Sequence, residues 1–327
     1  MVELMSVMNQ RPERELFEEI AQIKGIAESF VEKDWFVTHI IGIIAGLQHD
    51  GFEVIFTGGT ALSKAHHLLQ RFSEDIDFRV RVRSECDTRS SRSGFKHKVV
   101  ETLHLAGFSI EDDQIKARDE NRFFAIDVFY ESYFPRPQAL RPHVLIEVTA
   151  RDVQLPPLDL PVSSFVNEVS KHPPEVASIR CIDPVESAAD KLSAIAWRIP
   201  DRVRGGQDDD PSIVRHIHDL AILKGRALKH AQFPALVAAS MREDQNRPRN
   251  DRAIANLPMA EKFQRMLEVL KTDQEYAREY ERFVEGVSYA TKPNAKPKFT
   301  KAVDALKRLV KSLKWDTENE SAASDNQ

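Results

Sequence analysis

The chain predicts an α/β protein followed by a helical domain, and three observations carry that expectation. Up to about residue 170, short β-rich runs are mixed with runs of helical spacing, the pattern of a small mixed sheet flanked by helices. The segment "QLPPLDLPVSSFVNEVSKHPPE", residues 154–175, is then proline-rich and marks a change of character. Beyond it, every apolar run has helical spacing. At 327 residues the chain is also long for a single core. The expected organisation is an α/β domain with N-terminal helices over 1–175, a helical domain over 176–315, and a disordered tail over 316–327.

The elements follow in order. "RELFEEIAQIKGIAESF" and "DWFVTHIIGIIAGLQHD" space their apolar residues by three and four and predict two helices, the second capped by Asp34 and ended by Gly51. "EVIFT" predicts a strand running into Gly58 and Gly59, and "TALSKAHHLLQRF" a helix through Ala61, Leu62, Ala65, Leu68 and Leu69. "DIDFRVRV" alternates and predicts a strand. "FKHKVVETLHLAG" predicts a helix, and "FSIE", "RFFAIDVFY" and "HVLIEVTA" three more strands. "IDPVESAADKLSAIAWRI" opens with Asp183, Pro184 and Glu186, an N-cap, a first-turn proline and a capping-box acid in order. "DRVRGGQDDDPS" predicts a loop, "IVRHIHDLAILKG" a helix, and two or three more helices carry the chain to Trp315.

Composition narrows the class. No apolar run approaches the roughly 20 residues that span a bilayer, and the N-terminus lacks the basic and apolar regions of a secretory signal. A cytoplasmic protein with no membrane partner is expected. Cys86 and Cys181 are the only cysteines and form no CxxC pair, which disfavours a disulfide framework or a zinc site. Net charge is -5, yet Lys292–Lys314 holds eight Lys/Arg against Asp304, and Arg79–Lys98 holds seven against two acids. Such local basic faces suit polyanions or are solvated helix surface.

The stretch "FTGGTALSKAHHLLQRFSEDIDFRV" carries the chemistry. On a strand, Asp75 and Asp77 project from one face about 6–7 Å apart. Paired carboxylates repel unless a cation lies between them, and Mg²⁺ takes hard oxygen ligands of this kind. Ile76 and Phe78 take the opposite, core-facing side. Gly58 and Gly59 between strand and helix would let the backbone approach a ligand, with free amides for an anion. Thr60 would cap the helix or bond a phosphate, and Lys64 one turn later would reach back to it. The spacing is neither a P-loop nor a dinucleotide fingerprint. Together the two halves suit nucleotide transfer from an NTP. Glu147 and Asp127 are both acids inside apolar strands, and Glu147 is the preferred third carboxylate.

"GGTALSK" followed by "SEDIDF" resembles the AbiEii/AbiGii group of nucleotidyltransferase-like toxins, within the DNA polymerase β-type superfamily. "EKDWFVTHII" upstream, and "ADKLSAIAWR" and "RHIHDLAIL" downstream, are similar to that group's further motifs, so the resemblance covers roughly residues 30–225. It implies a nucleotidyltransferase fold, with Gly58, Gly59, Thr60 and Lys64 on the nucleotide side. It implies Asp75, Asp77 and Glu147 as metal ligands for two Mg²⁺ ions, with Mn²⁺ as the alternative. It implies Lys191 on the triphosphate, Asp219 in the site, and Arg198 two helical turns from Lys191. Arg215 and Asp219 could equally form an intrahelical ion pair. The last motif departs from the group, with His216 where an Asp is usual. The resemblance further implies an antitoxin partner and tRNA 3′ ends as acceptor. Alternatives are a protein or small-molecule acceptor, or a nucleotide- or antitoxin-binding protein without turnover. Arg79, Arg81 and Arg83 share the parity of the two aspartates and would hold triphosphate or RNA. Glu74 has the core-facing parity and receives no role. His66, His67, His216 and His218 are not expected to bind metal, and the tryptophans are expected in the core.

Overall fold

The computed structural model describes residues 7–137, 140–206, 209–245, 254–290, 292 and 295–314. Trp315 and the tail expected over 316–327 lie outside the described residues. The chain divides into two compact units, Met1–Asp183 and Pro184–Gln327.

The first unit is built on a mixed sheet of seven strands among the described residues: β1 Phe52–Thr57, β2 Asp75–Val82, β3 Ile115–Arg118, β4 Phe123–Phe129, β5 His143–Ala150, β6 Leu158–Val162 and β7 Val176–Cys181. Their order is β3-β4-β5-β2-β1-β7-β6. β2 runs antiparallel to β1 and parallel to β5. Alternation sends Ile76, Phe78, Val80, Ile146 and Val148 to one buried face. There Phe95 stacks on Phe52, centroids 4.9 Å apart, and fastens helix α4, Arg89–Leu105, to the sheet. The opposite face carries Asp75, Asp77, Arg79, Arg81 and Glu147.

The two N-terminal helices break earlier than the spacing predicts. Helix α1, Arg14–Lys24, ends where Gly25 turns left-handed at φ 67° and returns its N–H to Ala21 O at 2.8 Å. Helix α2 then runs Glu28–Ala45, so Asp34 is an interior residue and not a cap. α2 is apolar nearly all round, the mark of a buried helix. Yet it also buries Glu32, Lys33 and Asp34 in succession. Successive residues point about 100° apart, so each meets a different segment. Glu32 holds Arg11, Ser132 and the Tyr133 N–H. Lys33 holds Glu74 and the Arg141 carbonyl. Asp34 holds Lys64 and the Phe165 N–H, the first residue of α5, Phe165–Ser170.

Three further expectations are corrected. The helix after the glycines is short: α3, Gly58–Thr60, widens into a π-turn over Ala61–Ala65 and stops at His66. His67 is left-handed at φ 52°, and the Leu68 N–H folds back onto Leu62 O at 2.9 Å. "FSIE" is not a strand; β3 begins at Ile115, after a short turn. The proline-rich segment supplies β6, and β7 follows it where only helix was expected. Pro161 is tolerated because β6 is the sheet's edge.

The second unit consists of α6 Pro184–Arg198, α7 Val214–Ala227, α8 Phe233–Gln245, α9 Met259–Thr272, α10 Glu275–Val287 and α11 Phe299–Ser312. Trp197 is buried in α6, as is Trp35 in α2. In the loop after α6, Arg202 and Arg204 both reach Glu279 of α10. On α11, Ala302, Leu306 and Leu309 face inward, leaving Lys301, Arg308 and Lys311 exposed. Both cysteines are free. Among the described residues no helix is long and apolar enough to cross a membrane.

Candidate active site

Strand register settles which acids are neighbours. Asp77 pairs with Glu147 on one side and with Thr57 on the other, while Asp75 pairs with Leu145. Paired residues on adjacent strands share a face and lie close, with Cβ atoms about 5 Å apart. Asp75, Asp77 and Glu147 thus occupy one patch of the polar face. The Glu147 side chain has no hydrogen-bond or ion-pair partner among the described residues. Asp127, the competing acid, stands opposite Leu145 and is taken up by His143 at 3.2 Å and Lys116 at 3.4 Å. Burial lowers the His143 pKa, and Asp127 opposes that shift.

The glycine pair makes room for the protein's own side chains. Gly58 has φ 76°, and a Cβ there would lie 1.9 Å from Asp77 Oδ2. A Cβ on Gly59 would lie 2.6 Å from Arg71 Nη2 and 3.0 Å from Ser73 Oγ. The turn is therefore bare so that the Asp77 carboxylate and the buried Arg71 guanidinium can lie against it. Arg71 gave no sequence signal, because nothing local distinguishes it from a surface arginine.

Thr60 and Lys64 look inward. The Thr60 hydroxyl is fully buried and donates to the Asp75 carbonyl, fixing the start of β2; it caps no helix. The Lys64 ammonium is taken up by Asp34 and lies 5.1 Å from the Phe165 ring. The expected reach from Lys64 back to the glycine turn is not what the structure gives. Burial pushes the Asp34 pKa up, and Lys64 opposes that shift.

The arginines of β2 separate. Arg79 is buried. Arg81 is engaged by Glu53 at 2.9 Å and Asp152 at 2.5 Å, and exposed Arg83 by Glu85 at 3.6 Å. Glu74, given no role from the sequence, is an anchor: it meets Lys33 and accepts the Arg141 N–H at 3.0 Å. Arg141 Nη1 in turn lies 2.8 Å from Asp75 Oδ1. Burial lowers the Lys33 pKa against the pull of Glu74.

Within the second unit, α6 and α7 bring together residues 25 to 28 positions apart. Lys191 Nζ lies 3.0 Å from the wholly buried Asp219 Oδ2. It donates to His216 Nδ1 at 3.4 Å. Burial, then the cations Lys191, Arg215 and Arg198, hold the His216 pKa well below its usual value. His216 is therefore a neutral acceptor, where an aspartate would be an anion. His218 Nδ1 lies 3.3 Å from Asp219 Oδ1, and Arg198 lies 3.5 Å from Asp210 at the surface.

Asp75, Asp77 and Glu147 fit a hard divalent cation by donor chemistry and by shared face. Their side chains do not converge as they stand. Among the described residues no three His, Cys, Asp or Glu side chains are gathered closely enough to hold a metal ion.

Comparison with known proteins gives the family. The family model of the nucleotidyl transferase AbiEii toxin, of type IV toxin–antitoxin systems, matches residues 44–305. The solved structure of MenT4, a nucleotidyltransferase toxin from Mycobacterium tuberculosis H37Rv, is similar with a TM-score of 0.58. The two are 15% identical over 93% of this chain and 92% of that one, a likeness that speaks for the fold. No curated protein matches the sequence.

Proposed function

From the premise that the chain belongs to the AbiEii family of nucleotidyltransferase toxins, we propose that it transfers a nucleotide from an NTP to an acceptor hydroxyl. The 3′ end of tRNA is the first acceptor to test, and a cognate antitoxin in the cytoplasm is the expected protein partner. The observation that carries the reading is the pairing of Asp77 with Glu147, with Asp75 on the same face and Gly58 leaving room for the Asp77 carboxylate.

Asp75, Asp77 and Glu147 would hold two Mg²⁺ ions, which when bound supply charge neutralisation at the reacting phosphate and the attacking oxygen. The chain's own residues position the rest. Thr60 and Thr57, bonded to the Asp75 and Asp77 carbonyls, fix the strand that presents the carboxylates. Arg71 places a buried positive charge beside the glycine turn, suited to phosphate oxygens. Within the second unit, Lys191, oriented by Asp219 and by neutral His216, is a cation of the kind that binds phosphate as a point charge. Asp77 is the nearest candidate to help the acceptor lose its proton.

Incubation with labelled NTPs, Mg²⁺ and total tRNA tests the reading. Labelled tRNA supports it. A labelled protein or small molecule would move the acceptor, and nucleotide binding without product would make the chain a binder. Asp75→Ala with Asp77→Ala is expected to abolish labelling; wild-type activity in that variant would refute the carboxylate assignment.

A further inference from the structure

Arg141 is held through its main chain by Glu74 and Lys33 and through its guanidinium by Asp75 and, at 4.0 Å, Glu74 Oε1, and only the guanidinium is free to change. Its backbone N–H donates to Glu74 Oε2 at 3.0 Å, and its carbonyl accepts from Lys33 Nζ at 2.8 Å. Lys33 is fully buried and also contacts Glu74, so the main chain of Arg141 is clamped from both sides. The side chain is different. It is 42% exposed, and its guanidinium rests 2.8 Å from Asp75 Oδ1, whose side chain is 12% exposed. A fixed backbone carrying a long, half-exposed cationic arm has one easy degree of freedom: the arm itself.

Its position places a positive charge on the acidic patch. Three carboxylates on one patch repel each other unless a cation lies among them. Arg141 is one ion-pair partner of Asp75, and among the described residues the acids are not gathered as a metal would gather them.

We propose that Arg141 is a resident counter-cation of the acidic patch. Its guanidinium competes with a divalent cation for Asp75 and swings out when that cation binds. The inference rests on the metal reading given above. Charge balance sets its sense. With the arm on Asp75, the site's negative charge is partly neutralised and its affinity for a divalent cation is reduced. With the arm released, Asp75 loses a competing cation at Oδ1, and a positive charge is available at the rim for a polyanionic substrate. Glu74 and Lys33 hold the hinge through the Arg141 main chain.

The test is a titration of the full-length protein with Mn²⁺ in the absence of nucleotide, free Mn²⁺ being read by electron paramagnetic resonance. Wild type, Arg141→Gln, Arg141→Lys and Asp77→Asn are compared, each with a melting curve to show folding. Arg141→Gln is expected to bind Mn²⁺ about two- to fivefold more tightly than wild type, the range for a partly exposed ion pair. Arg141→Lys is expected to stay near wild type. Equal binding by Arg141→Gln would overturn the competition while leaving the metal site intact. Weaker binding would make Arg141 a prop for Asp75, the opposite of the proposal. If Asp77→Asn bound Mn²⁺ as well as wild type, the metal assignment itself would fall, and the competition with it.

Discussion

Alanine at Gly58 tests the close approach on which the site depends. Gly58 and Gly25 both have positive φ, 76° and 67°, and both belong to the first unit. They differ in surroundings: a Cβ at Gly25 meets nothing within 4 Å, whereas one at Gly58 would lie 1.9 Å from Asp77 Oδ2. An L-residue in the left-handed region costs about 1–2 kcal/mol. Gly25→Ala is therefore expected to lose about that much stability, about 2–8 °C in melting temperature, and to keep its transferase rate. Gly58→Ala carries the same backbone cost and must also push the Asp77 carboxylate away by about 1 Å or more. Misplacement on that scale lowers rates about 10²-fold. The assay is initial-rate labelling from NTP, beside thermal melting of both variants. The reasoning fails if Gly58→Ala transfers at the wild-type rate, or if Gly25→Ala loses as much activity.

Three other outcomes are expected. Glu147→Gln should reduce transfer about 10²-fold or more, by analogy with loss of one preorganised charged group, while Asp127→Asn should stay within a few-fold. Reversed rates would exchange the two acids. Lys64→Met should destabilise the first unit by about 3–5 kcal/mol, because it leaves Asp34 buried and unpaired, and adding Asp34→Leu should recover much of the loss in denaturant unfolding. A single variant of wild-type stability would contradict the buried pair. For His216, the folded-state pKa lies below the unfolded value of about 6.5. Below that pH the unfolded chain binds the extra proton, so the stability present above about pH 6.5 falls as pH drops, by up to about 1.4 kcal/mol per pH unit. His216→Gln should flatten that slope in melting curves from pH 7.5 to 5, and an unchanged slope would rule the histidine out as its source.

What was legible in the sequence is what has a local period. β2 alternates plainly, β1, β4 and β5 show as short β-rich runs, and the parity of Asp75 and Asp77 follows from a period of two. The choice between Glu147 and Asp127 is also readable as a preference, but its geometry needs the register that pairs Asp77 with Glu147. β6 was hidden because proline argues against a strand, and only an edge position reveals that it does no harm. Lys64 misled for a different reason. Its spacing from the glycines is that of one helical turn, but the helix widens to a π-turn and its partner lies 30 residues upstream. Arg71 and Arg141 carry no sequence signal, since their roles come from contacts made by distant segments. His216 was visible as a departure from the family motif, yet its neutral state is a product of burial beside Lys191.

The charged triplet of α2 bears on when the site can exist during synthesis. Glu32, Lys33 and Asp34 fasten groups that lie from 21 to 131 residues away along the chain. Contacts of such separation close large loops and form late. A ribosome that has released only as far as β2 has made both aspartates, but not Arg141, Glu147 or the Phe165 amide that completes Asp34. Nascent chains, or fragments cut short before residue 165, would carry the acidic motif without the scaffold that aims it. Organised activity then requires at least the finished first unit, which separates production of the polypeptide from the appearance of its chemistry.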